Sequence, residues 1–214
     1  MENKKFAIFD MDGTLIDSMP YWKNLAKEYL ESKDIFCDME EIARIIKPMT
    51  MTESAKYFVE RFKMNLDEKT VEAEMNSMIE KHYIEDIPLK PCVREYLEKL
   101  KAKDIKMCVA SATTKWLIDS CLKRLGILDF FEFTISCEEV FAGKDSPAVF
   151  LKCAEIFNEK PENILVFEDA LYAIKTATDA NFYTIGVNDN FDEERINKIK
   201  NTADYYINSF CEKI

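Results

Sequence analysis

Two aspartates one residue apart, followed by a glycine, open the stretch Asp10-Met11-Asp12-Gly13-Thr14-Leu15-Ile16-Asp17-Ser18. Carboxylates this close repel unless a cation joins them. An ionised acid beside one able to carry a proton is the raw material for nucleophilic and acid–base chemistry. A calcium loop of the EF-hand type also carries D-x-D-G, but its glycine register would put Ile8 at the first loop position and Met19 where the bidentate glutamate belongs. Taken alone, the stretch also reads as an acidic turn ending a strand. Three further elements invite the same question. Ser111-Ala112-Thr113-Thr114 offers hydroxyls and helix-start N–H groups that suit an N-cap or a phosphate. Gly143-Lys144-Asp145-Ser146-Pro147 brings one lysine ahead of a helix start, and Glu168-Asp169 is a second acidic pair. Each has an ordinary explanation by itself, so they amount to chemistry only if the fold gathers them.

The elements that would do so are legible as a change of period. Glycine stands only at 13, 126, 143 and 186. Between Gly13 and Gly126 the helical spacing of Trp22, Leu25, Ala26, Tyr29 and Leu30, then of Ala55, Phe58, Val59 and Phe62, then of Val71, Met75, Met78 and Ile79, predicts a helical block over 18–88. Breaks are expected at Ser32 to Asp38 and at Lys47 to Thr52, the second with Pro48 and a Thr50-x-x-Glu53 capping box. Elsewhere short apolar runs predict strands at Phe6 to Phe9, Lys106 to Ala110, Phe133 to Ile135, Ile164 to Phe167, Phe182 to Val187 and Tyr205 to Ile207. Helices are expected between them at Val93 to Lys103, Lys115 to Leu125, Pro147 to Phe157 and Leu171 to Thr178, with Gly126 as a C′ glycine and Ser146-Pro147 as N-cap and N1. The fold class is therefore α/β: a Rossmann-like open parallel sheet formed by 1–17 and 89–214, with an all-helical cap domain, 18–88, inserted after the first strand. Pro88-Leu89-Lys90-Pro91 forms the return linker. In such sheets ligands bind beyond the carboxyl ends of the strands, where all four elements fall.

Composition narrows the function classes. The 214 residues carry 29 basic and 40 acidic side chains, a net charge of −11, which disfavours nucleic acid and anionic membrane surfaces as partners. The apolar run after the N-terminus stops at Asp10, and no stretch is long enough to span a bilayer, so a cytoplasmic location is expected. The 7 cysteines form no C-x-x-C pair and are expected to be reduced and mostly buried. His82 is the single histidine, which excludes multi-histidine metal sites; it falls on the last helix of the block, where no catalytic role is expected.

Together, D-x-D-G-T-x-x-D-S over Asp10 to Ser18, a serine after strand two, Lys144 before a later helix and Glu168-Asp169 after a further strand resemble the haloacid dehalogenase-like superfamily of phosphohydrolases. The insert falls where the subgroup containing β-phosphoglucomutase and phosphoglycolate phosphatase carries its cap. The resemblance implies an enzyme hydrolysing a small phosphorylated metabolite through an aspartyl phosphate. Asp10 would be the nucleophile and Asp12 the acid and base. Ser111 and Lys144 would be catalytic, and phosphate would be bound by Asp10, Met11, Asp12, Ser111, Ala112 and Lys144. Mg²⁺ would be held by Asp10, Asp12 through its main chain, and Asp169, with Glu168 acting behind them. Ala170 stands where the subgroup commonly has serine and Ala173 where it commonly has glycine. The mutases carry a histidine and an arginine in the cap at positions that align approximately with Trp22 and Met51, which favours a phosphatase over a mutase. Trp22 and Lys47 are candidate substrate contacts. Seven of the 10 methionines (19, 39, 49, 51, 64, 75 and 78) lie in the insert, where core filling is expected and a pliable substrate wall is the other reading. A phosphate-sensing protein without turnover is a third possibility. Oligomeric state and the particular metabolite are not encoded in these patterns.

Overall fold

The computed structural model describes residues 4–46, 49, 51–190 and 192–212. The chain divides into two compact units, Met1–Asp17 with Pro88–Ile214, and Ser18–Ile87.

The first unit is built on a parallel sheet of 6 strands in the order β3-β2-β1-β4-β5-β6. The strands are β1 (Phe6–Phe9), β2 (Lys106–Ser111), β3 (Phe133–Ser136), β4 (Ile164–Glu168), β5 (Tyr183–Val187) and β6 (Tyr205–Ile207). β1 pairs with β2 on one side and β4 on the other, so the strand order reverses beside it, the place where open sheets of this kind bind ligands. Both faces of the sheet are covered, which is why the strands read as continuous apolar runs rather than alternating ones. On one face Ile8, Cys108, Ala110 and Val166 pack with Val149, Phe150 and Cys153 of α7 (Ala148–Phe157) and Ala173 and Ala177 of α8 (Leu171–Asp179). On the other, the rings of Phe9 and Phe167 stack 4.4 Å apart, and Tyr96 and Phe210 close on them edge-on and tilted. Each such buried side chain contributes about 1.5 to 3 kcal/mol.

The expected strands form, with β2, β3 and β4 one residue longer than their apolar runs and β5 one residue shorter, so that Ser111 and Glu168 are the last residues of their strands. α7 begins at Ala148 with Pro147 at the N-cap, one residue later than expected. Gly126 takes the left-handed conformation, φ 67°, just beyond α6 (Lys115–Arg124). The remaining helices of this unit are α5 (Val93–Ala102) and α9 (Glu193–Thr202). α9 has no counterpart in the sequence expectations, because it buries only Ile199 and so lacks an apolar stripe. Gly186 of β5 makes room for it, since a Cβ there would collide with Ile199.

Cys92 and Cys211 form a disulfide, 119 residues apart, which corrects the expectation of reduced thiols throughout. Cys37 is an exposed free thiol, and Cys108, Cys121, Cys137 and Cys153 are buried ones. The bond escaped the sequence pattern because it joins a linker to the chain end rather than forming a local pair.

The second unit contains α1 (Met19–Ser32), α2 (Met39–Ile46), α3 (Met51–Phe62) and α4 (Glu68–Glu85), with Leu25, Tyr29, Leu30, Ala55, Phe58, Val71, Met75 and Tyr83 among its buried residues. Asp67 caps α4 by accepting the Thr70 N–H at 2.9 Å. The expected capping box at Thr50 lies outside the described residues. The methionine expectation needs correction too: Met75 is buried at 2% exposure, but Met19, Met39, Met49, Met51, Met64 and Met78 are only half-buried. Polar bonds tie α1 to α4: Tyr29 Oη donates to Glu74 at 2.8 Å, Lys33 Nζ donates to Glu74 at 2.9 Å, and the His82 ring lies 2.8 Å from Glu28 and from Asp86. No helix among the described residues is long and apolar enough to cross a membrane.

Two predictions follow from this architecture. Under denaturing, non-reducing conditions 5 thiols per chain should titrate, rising to 7 after reduction. Reduction should cost stability of about 2 to 4 kcal/mol, because the bond closes a long loop. Seven reactive thiols before reduction would disprove the bond. His82 gives a pH signature. Burial opposes its protonation, but Glu28 and Asp86 prevail and raise it above its ordinary 6.5. A folded-state value above the unfolded one stabilises fully below about pH 6.5 and fades as pH rises through the raised value. His82→Ala should therefore lose more stability at pH 5.5 than at pH 8.5 in denaturant titrations, and equal losses would show that the clasp is not ionic.

Candidate active site

Strand register alone assembles the site. Phe9 pairs with Val109 and with Phe167, so Asp10 leaves the sheet between the ends of β2 and β4, where its N–H donates to Phe167 O at 2.9 Å. The loop then turns tightly, with the Leu15 and Ile16 N–H groups both bonding Met11 O and Gly13 N–H bonding Ile16 O. Gly13 has φ +80°, and a Cβ there would stand 2.8 Å from Asp169 Oδ2. Only glycine satisfies both the turn and the approach of that carboxylate.

Asp10, Lys144, Glu168 and Asp169 are buried together, each at 6% exposure or less. Lys144 Nζ bonds Asp10 Oδ1 and, at 2.8 Å, Glu168 Oε2. The other oxygen of Glu168 accepts the N–H groups of Asp169 at 3.2 Å and Ala170 at 3.1 Å, which come from the turn leading into α8. Asp10 Oδ2 is buried without a hydrogen-bond partner. Oxygens of Asp10, Glu168 and Asp169 lie within 4.8 Å of one another. One ammonium does not neutralise three such carboxylates. Burial, then repulsion from Glu168, push the Asp10 carboxyl up to about 8 against the pull of Lys144. Burial, Glu168 and Asp10 likewise raise Asp169 well above the carboxylate range. Lys144 is held above its ordinary value because Asp10 and Glu168 outweigh the burial that would discharge it. An excess of buried anionic oxygens with one left orphaned fits a hard divalent cation at Asp10 and Asp169. Both oxygens of Glu168 are already engaged.

Asp12 occupies a different environment. It is half-buried, and its Oδ2 accepts the Thr113 hydroxyl at 2.8 Å, with Ser111 Oγ at 3.4 Å. Ser111 Oγ in turn accepts the Thr113 N–H at 3.1 Å. The structure thus separates the two aspartates, one among an ammonium and carboxylates, the other among hydroxyls. Met11 is fully buried and Ala112 exposed. Trp22 donates its indole N–H to Tyr83 Oη at 3.1 Å within the helical unit. Lys47 lies outside the described residues. Sequence reasoning missed Thr113, hidden in a stretch that reads as a helix cap. It also missed Asp189, buried at 3% two residues beyond β5, whose Oδ1 lies 2.7 Å from Lys90 Nζ. Applying the strand-end rule to β5 would have found the latter.

A family model described as haloacid dehalogenase-like hydrolase matches residues 7–187. Fold and site therefore define the class: the chain belongs to the haloacid dehalogenase-like hydrolase family. Among its relatives are a phosphorylated carbohydrates phosphatase of Thermotoga maritima, 28% identical over 174 residues (81% of this chain and 80% of the relative), and the β-phosphoglucomutase of Bacillus subtilis, 28% identical over 193 residues (86% and 83%). A Thermotoga maritima crystal structure provisionally named as a β-phosphoglucomutase superposes with a TM-score of 0.84 at 25% identity, covering 95% of this chain and 94% of that one.

The charge balance is testable without any substrate. Lys144→Met should destabilise the protein by about 3 to 5 kcal/mol, the loss for breaking a buried ion pair. Adding Asp10→Asn should restore part of that loss. A double variant no more stable than the single one in denaturant unfolding would show that the lysine acts by packing rather than charge.

Proposed function

We propose that the protein is a Mg²⁺-dependent phosphatase of a small phosphomonoester, a sugar or polyol phosphate, working through an aspartyl phosphate on Asp10. The observation that carries this reading is the convergence of Asp10, Lys144, Glu168 and Asp169 on one buried point, with Asp12 held separately beside it. The names of the relatives supply the substrate class. Besides the carbohydrate phosphatase, they include the fructose-1-phosphate phosphatase YqaB and hexitol phosphatase B of Escherichia coli, 25% and 29% identical.

Asp10 attacks phosphorus, and the ester oxygen departs with a proton from Asp12. Water then attacks the phosphoaspartate, giving one of its own protons to Asp12 and freeing Asp10 and inorganic phosphate. Lys144 fixes the Asp10 carboxylate and offsets charge as the phosphoryl group approaches. Ser111 and the N–H groups of Met11, Asp12 and Ala112 hold phosphoryl oxygens. Mg²⁺, held by Asp10, Asp169 and the Asp12 carbonyl, supplies electrostatic stabilisation of the phosphoryl oxygens when bound. Glu168 anchors Lys144 and the turn carrying Asp169. The helical unit would serve as the cap that the family resemblance implies.

The β-phosphoglucomutase relative supports a second reading, against which stand Trp22 and Met51 at the approximate positions of the mutases' histidine and arginine. A panel of phosphomonoesters with Mg²⁺ separates the two. Inorganic phosphate should be released from one or more sugar or polyol phosphates, chelation should abolish release, and Asp10→Asn should lower it at least ~1,000-fold. Conversion of a sugar 1-phosphate to its 6-phosphate in the presence of the bisphosphate, without net phosphate release, would establish the mutase instead.

A further inference from the structure

The Thr113 hydroxyl takes no part in the mechanism above, yet it makes the shorter of the two hydroxyl contacts to the proposed acid–base residue. Its Oγ1 stands 2.8 Å from Asp12 Oδ2, against 3.4 Å for Ser111 Oγ. The local backbone places it there: β2 ends at Ser111, and the bond from Thr113 N–H back to Ser111 Oγ, 3.1 Å, closes a short turn that aims residue 113 at the β1 loop. α6 starts two residues later, at Lys115, so the turn sits on the rigid end of a strand and the start of a helix.

Proton counting gives the arrangement its meaning. The Asp12 oxygen that faces Thr113 accepts hydrogen bonds, and each hydroxyl has one proton to give. With the Thr113 proton committed to Asp12, the single Ser111 proton is available for a phosphoryl oxygen. Asp12 also needs such a hold. It is half-buried, and an acid that must meet a leaving oxygen has to be confined to one rotamer.

We propose that Thr113 is a positioning residue, holding the Asp12 carboxyl group in the orientation that delivers its proton to the leaving alkoxide; this rests on the phosphatase reading. A threonine that merely closed the turn would affect every substrate alike. A positioning residue acts only where the leaving oxygen needs a proton.

The test compares kcat/KM, which covers the steps through departure of the leaving group, for two esters on Thr113→Val, Thr113→Ala and Thr113→Ser. One is an alkyl phosphate turned over by the parent enzyme, whose alkoxide must be protonated. The other is p-nitrophenyl phosphate, whose phenolate leaves without a proton. For Val and Ala, kcat/KM on the alkyl ester should fall about 10- to 100-fold while that on p-nitrophenyl phosphate stays within about 3-fold. Serine, which keeps the hydroxyl, should restore most of the alkyl activity. The ratio of the two activities in one sample is independent of how much protein folds. An unchanged ratio, or failure of serine to restore it, overturns the assignment. A parent enzyme that releases phosphate from neither ester overturns the phosphatase reading, and the role of Thr113 with it.

Discussion

A buried ammonium shared by two carboxylates, with a third carboxylate beside them, is the constraint around which the sheet edge is organised. Removing such ions from water costs several kcal/mol each, and Coulomb attraction recovers it only when the remaining donors and acceptors are matched. The chain meets that condition locally. Glu168 receives two main-chain N–H groups from the turn into α8, at the positive end of that helix. Gly13 removes the one side-chain atom that would stand in the place of Asp169. What stays unmatched is Asp10 Oδ2, and the deficit is anionic. A core that wanted only stability would replace this cluster with apolar residues of similar volume. A cluster of this composition at the switch point of the sheet fits a divalent cation.

The two aspartates of the D-x-D stretch illustrate how one residue of separation becomes a division of labour. Asp10 continues directly from β1 and inherits the dry interior of the sheet. Asp12, two residues on, has left the strand for a half-exposed turn and meets the hydroxyls of Thr113 and Ser111. Burial and repulsion from Glu168 raise the first, while the second is held by hydroxyls, so chemically identical side chains meet different surroundings.

Much of this was legible in the residues. Strand positions followed from apolar runs because both faces of the sheet are covered, and the expectation that function lies beyond the strand ends led to Asp10, Ser111, Lys144 and Glu168 before any contact was known. What escaped was of other kinds. α9 folds on a polar surface with Ile199 as its one buried residue, so periodicity had nothing to register. The Cys92–Cys211 bond depends on where the chain end returns, which spacing does not encode. Thr113 was hidden because a hydroxyl at a helix entrance has an ordinary local use, and only the distance to Asp12 distinguishes the two. The methionines of the insert failed as core markers since a flexible thioether is equally at home half-exposed.

Rigidity is distributed unevenly around the site, and the distribution explains why the lysine is bonded as it is. Asp10, Ser111 and Glu168 sit on strand ends, and beneath Asp10 and Glu168 the stacked rings of Phe9 and Phe167 hold the two strands in register, backed by Tyr96 and Phe210. Cys211, next to Phe210, is tied to the start of α5, so the chain end that closes this aromatic floor is covalently anchored. Lys144 is held differently. It lies on the connection from β3 to α7, beyond a short 3-10 helix, Cys137–Val140, that Ser136 and Glu139 cap, and past Phe141, left-handed at φ 52° and 97% exposed. A long side chain on such a loop is placed by what it binds, here Asp10 and Glu168. The carboxylates therefore position the lysine as much as the lysine neutralises them, and a change at either end is felt at the other.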